Sequence, residues 1–373
     1  MKVFFRGAVL GMAILFCCGC GNGTTMPWNS ENPAGEQNSA RWQYMDTAMG
    51  TVINLTLYSE SEENAQDFAN EVMGVLAALE QEKISWRLDA SEVYGINASA
   101  GDENARPLSE DMARLLQKCK ELSVRAEGSF DITIGSLTGL WDIDEWAAGQ
   151  QTGDFQVPSE DALEQALSVC GSDRLELLWQ DAGGDYIQWT GQEGAVYIRM
   201  PEGMQLDLGA VGKGLALSEI QDLLEMRPDI TGAVISVGGS ILTYGDKPDG
   251  STWKVGIVNP FDTSDNVGIL SLEGQWCVST SGDYERYVEL DGVRYHHILD
   301  PDTGFPANAG VCGVTILTKD GSLSDALSTA CFILGPEKGL ELAAQYDAEA
   351  LFVMSDGQVA MSDGMEDFVQ IND

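Results

Sequence analysis

Basic side chains are scarce in this chain. Its 373 residues hold 20 Lys and Arg against 59 Asp and Glu, a formal charge of −39. Nucleic acids and anionic lipid faces are gripped by an excess of positive charge, so both are excluded as partners, and an acidic exterior that favours solubility is expected. Histidine is scarcer still, with only His296 and His297 in the whole sequence. Beyond the signal region no CxxC pair and no zinc spacing occurs. Beyond the first twenty residues the cysteines are Cys119, Cys170, Cys277, Cys312 and Cys331, scattered and odd in number. They read as small buried apolar residues, and no disulfide is demanded. The apolar run Ala8 to Phe16 falls short of a bilayer span.

That short run instead follows Lys2 and Arg6 and precedes small residues, the order of a secretory signal. Residues 1–20 are therefore targeting sequence. Gly19 before Cys20 makes Cys20 the expected point of cleavage and lipid attachment, although Cys17 and Cys18 stand where such signals usually carry aliphatic or small residues. Residues 21–41, rich in Gly, Asn, Ser and Glu with Pro27 and Pro33, are expected to be a flexible tether. Residues 42–373 remain for a folded unit with a sizeable core. The implied location is outside the cytoplasmic membrane, anchored by lipid.

Within that unit the hydrophobic periods are mixed. Thr51 to Tyr58 alternates as a half-buried strand, and Glu62 to Glu82 places Ala65, Phe68, Ala69, Val72, Met73, Leu76 and Leu79 on one helical face. Ser109 and Ser159 open two further helices, the second running from Pro158 to Cys170 with Gly171 closing it. Strands are expected at 186–190, 195–200, 233–237, 253–258, 287–290 and 311–317, with helices after Gly212 and Leu323. The class is α+β with a largely antiparallel sheet.

Four strings carry chemistry: DLGAVGKG (Asp207 to Gly214), STSGDYERY (Ser279 to Tyr287), HHILDPDTG (His296 to Gly304) and SDALSTA (Ser324 to Ala330). The first lacks the glycine at Asp207 and the Ser or Thr at Gly214 that a P-loop needs, so Walker-type nucleotide binding fails. A strand ending at Leu208, a tight turn and an amphipathic helix remain. Those glycines could present backbone N–H groups and Lys213 to phosphate, or serve helix packing alone. Asp325 and Thr329 share a helical face and could hold Mg²⁺ through oxygen, or could merely settle the helix N-terminus. A histidine can act as general base near neutral pH, and because adjacent strand residues face opposite ways, one of His296 and His297 should reach a site. Tyr284 and Arg286 could flank a ring or a phosphate.

Taken in order, these strings resemble the ApbE family, the FAD:protein FMN transferases. The resemblance runs from about Met49 to the helix after Asp325. It includes MGT at Met49, Ser85 to Arg87 with Ser91 and Asn97, GSFDITIGSLTGLW at Gly128 to Trp141, SVGGSI at Ser236 to Ile241 and WKVGIVNP at Trp253 to Pro260. Ser129 and Ser240 depart mildly from the commoner Ala and Asn. The resemblance implies a single T-fold-like catalytic unit. It also implies FAD held by Met49, Trp86, Gly128, Ser129, Phe130, Asp207, Lys213 and Ile298. Mg²⁺ would be bound by the Ala210 carbonyl, Asp325 and Thr329, and His297 would be the base. The implied reaction moves FMN from FAD to a threonine hydroxyl of another protein and releases AMP. An acidic residue followed by an SGAT-like motif marks acceptors, and this chain has none, so it would act in trans on an exported or membrane electron-transfer flavoprotein. Alternatives are an FAD pyrophosphatase, a flavin-delivering lipoprotein without catalysis, and a solute-capturing surface protein.

Overall fold

A computed structural model describes residues 39–372. The signal peptide and nearly all of the tether lie outside the described residues. In Thr51 to Ser59 the residues Ile53, Leu55 and Leu57 turn inward while Val52 and Asn54 face out, the period-two signature of a sheet with one buried face. Eight strands share this sheet: β1 (Ala40–Ala48), β2 (Thr51–Ser59), β3 (Ile230–Val237), β4 (Ser240–Gly245), β5 (Trp276–Gly282), β6 (Val311–Thr318), β7 (Glu349–Met354) and β8 (Val359–Met361). They lie side by side in that order, each pair antiparallel. The excursions between them carry α1 (Glu62–Ala78), α2 (Glu110–Arg125), α3 (Gly209–Glu225) and α4 (Gly321–Leu334). A four-stranded sheet, a three-stranded sheet and the hairpin Tyr287–Leu290/Val293–His296 complete the α+β, largely antiparallel architecture.

The stripe read in α1 is buried: Ala65, Phe68, Ala69, Val72 and Leu76 pack on Ile53, Leu55, Leu57 and Ile235, with Leu217, Ile220 and Leu224 of α3 alongside. Each large side chain so buried is worth about 1.5–3 kcal/mol, enough for packing rather than local propensity to fix the helix. Ser61, Ser109 and Ser159 cap their helices, their hydroxyls accepting from the N–H groups of Asn64, Met112 and Ala162. All five cysteines outside the signal region are free, four of them buried.

Several boundaries differ from the sequence expectations, each for a tertiary reason. Ala40 and Arg41, assigned to the tether, already pair with Ser59 and Tyr58 in β1. The helix expected over Pro158 to Cys170 runs from Glu160 to Leu167. Gly171 and Ser172 are drawn away to donate their N–H groups to Thr133 Oγ1 (2.8 Å) and Asp131 Oδ2 (3.0 Å). No strand leads into Leu208. The Asn97 side chain brackets Leu206 instead, accepting its N–H at 2.7 Å and donating to its carbonyl at 3.0 Å, while the Asp207 N–H goes to the Ile132 carbonyl. The helices expected after Gly212 and Leu323 start earlier, at Gly209 and Gly321.

Candidate active site

The turn between β1 and β2 consists of Met49 and Gly50, with φ of 53° and 68°. A two-residue hairpin with both φ values positive suits the right-handed strand twist, yet methionine pays for that conformation with backbone strain. The Met49 N–H is held by Glu80 Oε2 at 3.0 Å. Glu80 can reach it because α1 passes into a π turn over Leu79–Ile84, a widening often found at functional sites. Glu80 and Ile84 both line the cleft that opens here. Trp86 follows, with the Arg87 guanidinium 4.1 Å above its ring and Arg87 tied to Glu145 at 3.2 Å.

Opposite, α3 and α4 cross where neither has a side chain. A Cβ on Gly214 would lie 2.3 Å from the Gly321 carbonyl oxygen, and one on Gly321 would lie 2.7 Å from that of Gly214. The close crossing brings Asp325, only 2% exposed, against the first turns of α3. Its Oδ2 accepts the Gly214 N–H at 3.0 Å and its Oδ1 stands 3.5 Å from Lys213 Nζ. In an α-helix the Gly214 N–H answers the Ala210 carbonyl, so that carbonyl and the Asp325 carboxylate converge on one donor. Thr329, one turn on from Asp325, faces the cleft. Carboxylate, carbonyl and hydroxyl form the hard-oxygen set that suits Mg²⁺. Among the described residues no group of three or more His, Cys, Asp or Glu could hold a metal.

The two histidines separate where the strand Val293–His296 ends, with His297 in the bend that follows. His296 is buried, its Nε2 at 3.0 Å from the Ala307 carbonyl and its ring edge-on to Phe332. His297 lines the cleft. Its backbone N–H and Nδ1–H both donate to the Arg286 carbonyl, at 3.1 and 3.2 Å, which leaves Nε2 with the lone pair. Burial, then the charges of Arg286 and Lys213, hold its pKa well below 6.5, so the ring is neutral at physiological pH. Trp141 Nε1–H donates to the Gly304 carbonyl at 2.7 Å and so ties GSLTGLW to the DPDTG turn beneath this wall.

The cleft has a volume of about 550 Å³, within the range of small-molecule sites. It gathers Met49, Trp86, Ser129, Phe130, Asp207, Ala210, Lys213, His297, Ile298 and Thr329. Asp325 sits just behind its surface. Gly128 is the exception among the expected residues: it borders a neighbouring hollow of about 510 Å³. Its φ of 86° points to turn formation as its local task. Arg286 lines the cleft and pairs with Asp144 at 2.8 Å, whereas Tyr284 packs against Gly282 and Gly313. Glu285 and Asp144 were not foreseen. Glu285 lines the cleft. Loss of surrounding water raises its carboxyl pKa against the pull of Lys213 and Arg286. Its place in DYERY, next to the SG turn, was the available signal. Asp144 had none.

Similarity to known proteins extends over most of the chain. A family model described as the ApbE family matches residues 49–352. An "FAD:protein FMN transferase" from Treponema pallidum is 32% identical over 371 residues, covering 97% of this chain and 96% of that protein. Another of that name from Escherichia coli (strain K12) is 26% identical over 96% of this chain and 94% of its own length. The crystal structure of the ApbE protein from Thermotoga maritima superposes with a TM-score of 0.72 at 27% identity, covering 88% of this chain and 99% of that one. The apo form of the Pseudomonas stutzeri flavinyl transferase ApbE gives 0.70 at 28%, covering 88% and 96%. On the extent of these matches, the chain belongs to the ApbE family.

Proposed function

We propose that this protein is an FAD:protein FMN transferase that takes FAD as substrate and, with Mg²⁺, moves its FMN moiety to a threonine hydroxyl of an acceptor flavoprotein. The observation that carries this is the pairing, across one cleft, of an oxygen-donor cluster beside Lys213 with a neutral histidine. Trp86 offers a ring face for stacking, and Lys213 binds the diphosphate by charge. His297 Nε2 receives the proton of the threonine hydroxyl as its oxygen bonds to the FMN-side phosphorus. The bond from that phosphorus to the AMP oxygen breaks, and AMP leaves. Mg²⁺ bound by Asp325, Thr329 and the Ala210 carbonyl would supply neutralisation of the growing phosphate charge.

The acceptor is an exported or membrane-bound electron-transfer subunit with an SGAT-like threonine motif, and Cys20 carries a lipid that keeps the enzyme on the outer side of the cytoplasmic membrane. This placement rests on the N-terminal pattern of Lys2, Arg6, the short apolar run and Gly19. Among the described residues no helix is long and apolar enough to cross a membrane. The test is incubation with FAD, Mg²⁺ and a purified acceptor domain bearing the motif. Flavin fluorescence that survives denaturation on the acceptor, with AMP released in equal amount, is expected. AMP without labelled acceptor would replace transfer by hydrolysis, and the absence of both products would overturn the proposal.

A further inference from the structure

Hydroxyl groups line the seam between β5 and α4, and their protons can be counted. Ser328 Oγ lies 2.8 Å from the Asp325 carbonyl. A carbonyl cannot donate, so Ser328 spends its single proton there. Ser328 Oγ also lies 2.7 Å from Ser281 Oγ. That short contact needs a proton as well, and only Ser281 can supply it. Ser281 Oγ is in turn 3.3 Å from Thr329 Oγ1. With its own proton committed, Ser281 can only accept, so the proton on this longer contact belongs to Thr329. A threonine that donates backward to the strand keeps its lone pairs for the cleft that it and Ser281 both line.

We propose that Ser281 is a positioning residue for the Mg²⁺ site: it accepts the Thr329 hydroxyl proton and so turns that oxygen's lone pairs toward the cation. This rests on the assignment of Thr329 and Asp325 as ligands. Ser281 touches neither flavin nor metal in this role and acts through Thr329 alone. A hydroxyl ligand binds a cation through a lone pair with its proton turned away, and a partner that fixes the proton's direction raises affinity without joining the coordination sphere. Ser281 is suited to the task because it is 8% exposed, so water does not readily substitute as acceptor.

The experiment is a double-mutant cycle read by Mn²⁺ binding, with the metal alone as probe and electron paramagnetic resonance to count free Mn²⁺. Thermal unfolding in EDTA runs in parallel for each variant. Ser281→Ala is expected to weaken Mn²⁺ binding roughly tenfold while remaining folded. In a Thr329→Val background, Ser281→Ala is expected to produce no further loss. Equal Mn²⁺ affinity of Ser281→Ala and wild type would overturn the inference, as would a full additional loss in the Thr329→Val background. Should Ser281→Ala fail to fold, Ser281→Cys, which keeps the volume but accepts weakly, takes its place under the same two criteria. Failure of the underlying metal assignment looks different: wild type and Asp325→Ala would then bind Mn²⁺ alike, whatever Ser281 does.

Discussion

Asp325 accepts the backbone N–H of Gly214 across 111 residues of sequence, at 3.0 Å, with the same carboxylate 3.5 Å from Lys213 Nζ. One side chain therefore joins the start of α3 to α4 and places a negative charge beside the chain's best phosphate-binding cation. Replacing it separates the two tasks. Asp325→Asn keeps an acceptor for Gly214 but loses the charge, and should lower Mg²⁺-dependent AMP release by about 10³-fold with little loss of stability. Asp325→Ala should also remove the side-chain acceptor that the Gly214 N–H shares with the Ala210 carbonyl, with a further stability loss of about 1 kcal/mol. Activity assays with thermal melts distinguish them, and an active Asp325→Asn would remove the metal assignment.

Gly214→Ala tests the helix crossing. A methyl 2.3 Å from the Gly321 carbonyl oxygen cannot be accommodated without moving a backbone. A loss of about 1–3 kcal/mol is expected, with weaker Mg²⁺ dependence because Asp325 rides on the displaced helix. Gly212→Ala is the milder comparison, since its nearest neighbour at 3.0 Å is the flexible end of Ile84.

The acid side of the rate profile should be set by His297. It must be neutral to take a proton, and burial with Arg286 and Lys213 keeps its pKa well below 6.5. Turnover should therefore stay level as pH falls through 6.5 and decline only well below it. Arg286→Gln removes one opposing charge, raises that pKa and shifts the decline upward in pH. His297→Ala should cost about 10²–10⁴-fold in turnover at neutral pH. A wild-type profile that breaks at or above 6.5 would contradict the assignment.

His296 predicts a pH effect on stability rather than on rate. Burial, against the help of the Ala307 carbonyl, pushes its pKa down to about 4 from 6.5. The folded state thus resists a proton that the unfolded chain accepts, so this contribution is whole above pH 6.5 and is lost as pH falls toward about 4. The lost amount is at most ~3 kcal/mol. Chemical denaturation at pH 7.5 and 5 should show the slope in wild type and a flatter one in His296→Gln.

Trp86→Ala should raise the KM for FAD by the worth of one stacked ring, about 1–3 kcal/mol, while Trp86→Tyr should nearly restore it. Steady-state kinetics at saturating Mg²⁺ measure both, and an unchanged KM in the alanine variant would place flavin and adenine elsewhere.

The sequence by itself determined the antiparallel α+β class, two of the three serine helix caps and the inward face of α1. These rest on local rules, side-chain period and capping chemistry, whereas the ten expected residues that line the cleft came from the family resemblance. That only one of His296 and His297 reaches the cleft was also expected, although His297 sits in the bend just past the strand. Tertiary structure decided what depends on partners far away in the chain. The Asn97 amide took the place of a strand expected to end at Leu208, and the helix expected to reach Cys170 stops at Leu167, with Gly171 and Ser172 held by Thr133 and Asp131. Gly209 to Gly212 became part of α3, and its crossing with α4 leaves no room for a Cβ at Gly214. Glu285 and Asp144 joined the cleft, and Gly128 turned toward its neighbour. A sequence pattern records which groups a residue can offer, but the group that accepts them is chosen when distant segments pack and exclude water from the seam between them.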